Sequence, residues 1–204
     1  MELSTLSSPA ALQITQGALD DSDCLQRYST IPIAFAVTSR LIVTPLDNGL
    51  GGLLLQEKEV DPPYIKDYDA LPDEGPAHWH KTFDLSQWAL FIASVADTVV
   101  GGAVVAWNTP GIDMLEGRTD LAVLWDLRVA PAYRGRNVGR HLFAAVTDWT
   151  RDRGCRTLKI ETQNINVPAC RFYARQGCLL RSIRPNAYPD LPDEVQLLWY
   201  KSLR

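Results

Sequence analysis

Between residues 121 and 163 the chain reads LAVLWDLRV, then an apolar stripe at helical spacing, then TLKIETQ. Val138, Leu142, Val146 and Trp149 make the stripe, Ala145 fills it, and Gly154 follows where a left-handed cap belongs. A helix of this length between two apolar strands is the connection that a parallel pair requires. The remaining elements attach to that pair.

IPIAFAVTSRLIVTPL (31–46) and GLGGLLLQEKEV (49–60) read as strands around the turn Asp47-Asn48-Gly49. WALFIASVA and TVVGGAVVAWN form a hairpin closed near Asp97, and Gly101-Gly102 inside it signals a bulge or a close backbone contact. Residues 60–86 read as a long connection with room for a helical turn. VPACRFYARQG is a short helix with proline near its start and Gly177 at its end, and EVQLLWYKSL closes the chain as a strand. Residues 1–30 read as a polar, partly helical or loose extension, and 31–204 as one domain. The fold class is mixed α/β (α+β-like): a twisted, mostly antiparallel central sheet with one parallel strand pair, flanked by helices.

Hydrophobic residues make up 46% of the 204 positions and charged residues 22%, enough apolar material for a full core. No apolar run is long enough to span a bilayer, and the first residues lack a basic region followed by an apolar one, so a cytoplasmic protein without a membrane partner is the expectation. The net charge of −4, with no basic stripe carrying interleaved aromatics, argues against a nucleic-acid partner. Cys24, Cys155, Cys170 and Cys178 show neither CxxC nor metal-ligand spacing and read as reduced, mostly buried residues. His78 and His80 flank Trp79 with no third ligand spaced to join them, so no metal is expected. Acid gathers at 60–79 and again at 188–194. Two acidic loops could attract a cation, although charge alone reads better as ordinary solvated loops.

The helix start carries cations where a helix favours anions: Arg134, Arg136 and Arg140, with no carboxylate among them. Two readings compete. The guanidiniums pair with carboxylates of the same chain, or an external phosphate or pyrophosphate completes the site using the unpaired N–H groups of the helix end. The phosphate reading is favoured. Neither GxxxxGK[ST] nor GxGxxG after a strand is present, which removes the common nucleotide loops.

Arg134-Gly135-Arg136-Asn137-Val138-Gly139 resembles the Q/R-x-x-G-x-G/A pyrophosphate turn of the GNAT N-acetyltransferases. Asn137 stands where that family usually has glycine; asparagine tolerates left-handed backbone better than most residues. Asn166-Val-Pro-Ala169-Cys-Arg-Phe172-Tyr173-Ala-Arg-Gln-Gly177-Cys178 resembles the same family's N-x-x-A-x-x-F-Y-x-x-x-G-F, with Cys178 replacing the closing aromatic. The likeness covers roughly residues 85–204. It implies a GNAT-type sheet and acetyl-CoA as acetyl donor. It assigns cofactor contacts to Arg134, Gly135, Arg136, Asn137, Val138, Gly139 and Arg140, to Phe172, and to Asn166, which could also cap the following helix. Backbone donors from Leu127, Arg128 and Val129 would join them if this strand carries the family's bulge. WDLRV, ETQNINVPACRFYARQGC and DEVQLLWYKSL are similar, more narrowly, to the streptothricin acetyltransferase branch, whose members acetylate the β-lysine amine of a cationic antibiotic.

Acetyl transfer to an amine makes three demands: a lysine-like ammonium must lose a proton, the forming oxyanion needs donors, and the departing thiolate needs a proton. Tyr173 answers the last by its place in the motif. Strand parity puts Lys159 and Glu161 on one face of 157–163, and Asp126 with Arg128 on one face of 121–129. Glu161, twelve positions before Tyr173 as in some family members, is the first candidate base; Asp126 is its rival or a clamp for the ammonium. The bland reading is a ladder in which Asp126, Arg128, Lys159 and Glu161 pair with one another. The leading expectation is direct acetylation of a primary amine on a small cationic substrate. Alternatives are a protein N-terminal or lysine acetyltransferase and a non-catalytic acyl-CoA-binding module. A homodimer is the expected assembly if the chain associates.

Overall fold

The computed structural model describes residues 11–19, 21–71 and 75–203. The chain runs β1 (Leu12–Gly17), α1 (Ser22–Ser29), β2 (Phe35–Pro45), β3 (Leu53–Lys66), α2 (Trp79–Thr82), β4 (Ala89–Val95), β5 (Thr98–Trp107), β6 (Leu121–Val129), α3 (Val138–Asp152), β7 (Thr157–Gln163), α4 (Val167–Arg175), β8 (Leu179–Arg184) and β9 (Gln196–Ser202). Seven strands form the main sheet in the order β1-β4-β5-β6-β7-β9-β8, and β2-β3 form a separate two-stranded ribbon. Within the main sheet only β6 and β7 are parallel, joined by α3, as the strand–helix–strand pattern requires.

Period-two alternation sorts the strands onto two cores. Ala89, Phe91 and Ala93 of β4 face the side that α3 covers with Leu142, Phe143 and Val146. Leu90 and Ile92 face the opposite side, with Tyr28, Trp79 and Trp88. Each fully buried Leu of this kind contributes about 1.5–3 kcal/mol over its exposed state. The Gly101-Gly102 pair explains how closely both layers press on β5. A Cβ on Gly101 would lie 2.9 Å from the Arg128 carbonyl oxygen and 3.0 Å from Val138; one on Gly102 would lie 2.6 Å from the Tyr28 ring. A register shift in the β4–β5 pairing lies beside them, so the bulge and the close contact occur together.

Three segments differ from the sequence reading. Leu12–Gly17, read as extension, is a strand hydrogen-bonded along β4. The connection read at 60–86 begins only after Lys66, because β3 continues through Asp61-Pro62-Pro63; residues 60–63 fall at the register shift between the Ser39/Glu59 and Val37/Tyr64 pairs, where neither proline has to supply a ladder N–H. Leu179–Arg184 is the outermost strand β8, paired with β9.

Candidate active site

The site begins where the parallel pair separates. β6 and β7 are in register from Leu121/Thr157 to Leu124/Ile160 and no further. On its other edge β6 skips one residue: Leu124 faces Val105 and Asp126 faces Val104, leaving Trp125 as the bulge. The Trp125 ring is taken up by Trp88 and Phe83, at centroid distances of 5.0 and 5.1 Å. The resemblance placed such a bulge near Leu127–Val129, and it falls two positions earlier. Past it, Ala130 N–H donates to Val100 O, so strand alternation turns the backbone groups of Leu127 and Val129 away from β5 and into the gap, while those of Arg128 stay in the ladder. Val129 O already accepts there from Arg134 Nε at 3.1 Å.

A cleft of about 1380 Å³ occupies this gap. One end meets the start of α3. Asn137 has φ 64° and Gly135 φ 76°, the left-handed geometry that the asparagine-for-glycine exchange requires. Asn137 makes no side-chain cap, and the first helical N–H bond runs from His141 to Asn137 O, so the N–H groups of Val138, Gly139 and Arg140 have no partner within the helix. Among the described residues Arg134, Arg136 and Arg140 form no ion pair. Arg134 donates to the carbonyls of Val129 and Ala34, and Arg136 lies over the Tyr133 ring. No carboxylate among the described residues pairs with these guanidiniums, and an anionic diphosphate fits this pole.

α4 supplies the wall. Asn166 caps it, its Oδ1 accepting from Ala169 N–H at 3.2 Å, and also lines the cleft. Phe172 packs edge-on to Phe143 and lies 3.5 Å from where a Gly139 Cβ would stand. Tyr173 is buried between Phe172 and Phe143 yet borders the cleft. Burial pushes its phenol up, reinforced by the nearby Asp126 and by Cys178 and Cys170. It therefore keeps its proton throughout the physiological range.

The charged residues form half of the ladder: Asp126 pairs with Arg128, while Lys159 and Glu161 find other partners. Arg128 is buried and holds Asp126 through Nε at 2.6 Å and Asp69 through both terminal nitrogens, at 2.5 and 2.8 Å. Lys159 turns instead to Glu116 at 2.7 Å and to the Met114 carbonyl at 3.1 Å. Burial raises the Asp126 pKa against the opposing pull of Arg128. The Tyr28 hydroxyl lies beside Asp126 without reaching hydrogen-bond geometry. Asp126 and Arg128 thus form the floor of the cleft, with Asp69 anchoring the acidic 67–71 loop over it. Spacing gave no sign of Asp69, which lies 59 positions before Arg128.

Glu161 stands on the opposite rim, half-buried. Gln196 Nε2 donates to its Oε2 at 2.7 Å and Tyr188 Oη to its Oε1 at 2.5 Å. Tyr188 comes from the second acidic stretch. The two acidic loops are themselves joined: Lys66 pairs with buried Glu194 at 2.5 Å, and Tyr68 donates to Glu194 at 2.6 Å. Asn164 ties the ribbon to the sheet, exchanging bonds with Leu41 at 2.9 and 3.0 Å and accepting from Val195 N–H.

A split parallel pair, an arginine-rich helix start and a tyrosine on the following helix border one cleft. The sequence profile of the acetyltransferase (GNAT) family matches residues 54–178, and the chain belongs to that family. It is an N-acetyltransferase, of a family that uses acetyl-CoA. Streptothricin acetyltransferase of Streptomyces lavendulae is 29% identical over 158 residues, covering 74% of this chain and 76% of its own. Streptothricin acetyltransferase A of Bacillus subtilis (strain 168) is 26% identical over 168 residues, 81% and 87% of the two chains. Among solved structures, a nourseothricin acetyltransferase superposes with a TM-score of 0.73 at 24% identity, over 95% of this chain and 99% of its own. A protein of Bacillus anthracis str. Ames, described as a streptothricin acetyltransferase and solved with acetyl coenzyme A, gives 0.72 at 24% identity, over 94% and 99%. These last two likenesses establish the shared fold. Among the described residues no helix is long and apolar enough to cross a membrane, and no group of three or more His, Cys, Asp or Glu is arranged to hold a metal ion.

Proposed function

We propose that the protein acetylates a primary amine of a small cationic antibiotic of the streptothricin type, at its β-lysine moiety, by direct transfer from acetyl-CoA. One observation carries the reading. A single cleft holds a diphosphate-ready helix start that no carboxylate among the described residues neutralises, a protonated phenol, and across from them a carboxylate rim. The two streptothricin acetyltransferases of similar sequence support the choice of acceptor.

In this reading acetyl-CoA, when bound, supplies the activated acetyl thioester. Arg136, Arg140 and the unpaired N–H groups of Val138 and Gly139 hold its diphosphate, while Arg134 fixes the turn by gripping Val129 O and Ala34 O. Leu127 and Val129 direct backbone groups into the gap and contact the donor's arm beside Asn166 and Phe172. Glu161 takes the ammonium proton and Tyr173 returns one to the departing sulfur. Asp126, locked to Arg128, keeps the floor negative and attracts the cation.

The test is thiol release from acetyl-CoA with a panel of amines: streptothricin, free β-lysine, a lysine peptide and a peptide with N-terminal alanine. Streptothricin is expected to turn over fastest. A peptide outpacing it would replace the antibiotic reading with protein acetylation, and background rates with every amine despite acetyl-CoA binding would leave a binding module.

A further inference from the structure

We propose that Tyr188 is a proton relay: its hydroxyl oxygen takes the proton of the acceptor ammonium while its own proton passes to Glu161. The inference rests on reading this cleft as an amine-acetylation site and adds to it a residue outside both sequence motifs.

Geometry is the warrant. Glu161 is a partly engaged base: of about four acceptor sites on a carboxylate, two take close hydrogen bonds, from Tyr188 and Gln196. Oε2 accepts from Gln196, and Oε1 from Tyr188, with Gln163 Nε2 more distantly at 3.4 Å. A substrate ammonium that reached the carboxylate directly would have to use the remaining lone pair of Oε2 beside Gln196, because Oε1 is covered by Tyr188 and Gln163. Tyr188 borders the cleft and donates its single hydrogen to Glu161. Its oxygen has two lone pairs, one of which accepts from Gln163 Nε2 at 3.1 Å. Gln196 also approaches this oxygen, so the second lone pair is open to an incoming N–H while Gln196 keeps to Glu161 Oε2. Gln163 and Gln196 are thus the two amides that fix the pair from β7 and β9. The groups facing Tyr188 are Glu161 from the same sheet and Tyr68 from the end of the ribbon, itself bonded to Glu194. Burial, followed by Glu161, raises the Tyr188 phenol, so it is neutral when the substrate arrives.

The step balances. The N–H bond of the ammonium breaks as an O–H bond forms on Tyr188, and the original Tyr188 O–H bond breaks as one forms on Glu161 Oε1. The amine is left neutral and nucleophilic, Tyr188 is unchanged, and Glu161 carries the proton until solvent removes it after transfer. The transfers are concerted, so neither a phenolate nor a protonated phenol accumulates.

The experiment is a kcat/KM profile for the acceptor from pH 7 to 9.5 in wild type, Tyr188→Phe, Glu161→Gln and the double variant, with acetyl-CoA affinity and thermal midpoint measured alongside. Tyr188→Phe is expected to lose about 100-fold at pH 7, the scale of lost acid–base catalysis, with acetyl-CoA affinity kept. Without the relay the variant should draw on free amine, its rate climbing about tenfold per pH unit toward the amine pKa of about 10.4 and closing on the flat wild-type profile, whereas direct capture by the uncovered Glu161 would keep its profile flat. Glu161→Gln should show the same shape, and combining the two should add less than about threefold, since they act as one unit. An activity within threefold of wild type at pH 7, a deficit constant across the range, or losses that multiply in the double variant would each overturn the relay and leave the acetylation reading standing. A wild-type protein with no amine-dependent thiol release would overturn both.

Discussion

Replacing Arg128 by methionine keeps most of the volume under the cleft and removes the charge that balances two carboxylates. Their exposures differ: the Asp126 side chain is 6% exposed and that of Asp69 is 29%. Asp69 can therefore rehydrate, whereas Asp126 cannot. The cost is that of one buried charge left without its partner, about 3–5 kcal/mol. For a domain of this size the thermal midpoint should fall by roughly 6–20 °C. The sign with pH follows from Asp126. Its pKa is already raised by burial against the pull of Arg128, so losing the guanidinium raises it further. The native variant then binds a proton more tightly than the unfolded chain, and its deficit is largest at neutral pH and shrinks as pH falls through that raised value. Calorimetry of wild type and variant at pH 7 and pH 5 reads both quantities. Arg128→Met combined with Asp126→Leu should recover most of the loss, because an apolar replacement of a buried pair is often neutral. A midpoint within about 2 °C of wild type at pH 7, or a deficit that grows on acidification, would refute the reasoning.

Tyr173→Phe should lower turnover by about 10² or more while acetyl-CoA still binds, read by steady-state kinetics and calorimetric titration. Arg140→Ala should weaken CoA binding by about tenfold, the scale of one charge-assisted contact, and leave a phosphate-free pantetheine analogue unaffected; equal losses would contradict the phosphate role. Gly102→Ala places a methyl 2.6 Å from the Tyr28 ring and should lower the urea midpoint by an amount equivalent to about 1–3 kcal/mol. Tyr28, Tyr68, Tyr173 and Tyr188 all have phenols raised chiefly by burial. Their stabilising contribution is complete below the ordinary tyrosine pKa and is lost as pH rises beyond about 10. Stability should therefore fall at up to about 5 kcal/mol per pH unit there, at 1.36 kcal/mol for each phenol, as chemical denaturation across alkaline buffers would record.

The elements that could be read in advance are those whose pattern is long or doubly constrained. The strands 121–129 and 157–163 coincide with β6 and β7, because the first is an apolar-rich run, the second alternates in period two, and a helix lies between them. β8 eluded the same method. Its six residues LLRSIR are half-exposed at the sheet's edge, with Leu179 60% exposed, and no alternation marks a buried face. In β3 the Pro62-Pro63 pair falls at the register shift opposite Thr38, so the strand resumes beyond residue 60, where the sequence reading starts a connection. The site divides likewise. Tyr173, Asn166 and the 134–140 turn are local motifs and could be named from spacing. Asp69 and Tyr188 reach the cleft through tertiary contacts spanning 59 and 27 positions. They sit in loops whose acidity was visible while their partners were not.

Because the two central strands part halfway along, the molecule owns a permanent notch and needs no hinge to create one. One wall, α3 with the far end of β6, is written into contiguous sequence. The other is assembled from the ribbon, the 67–71 segment and the turn carrying Tyr188, held by Asn164 and Glu194. That second wall meets the rest of the molecule at a few points, Leu41, Lys66 and Val195, so it is joined to the sheet rather than woven through it.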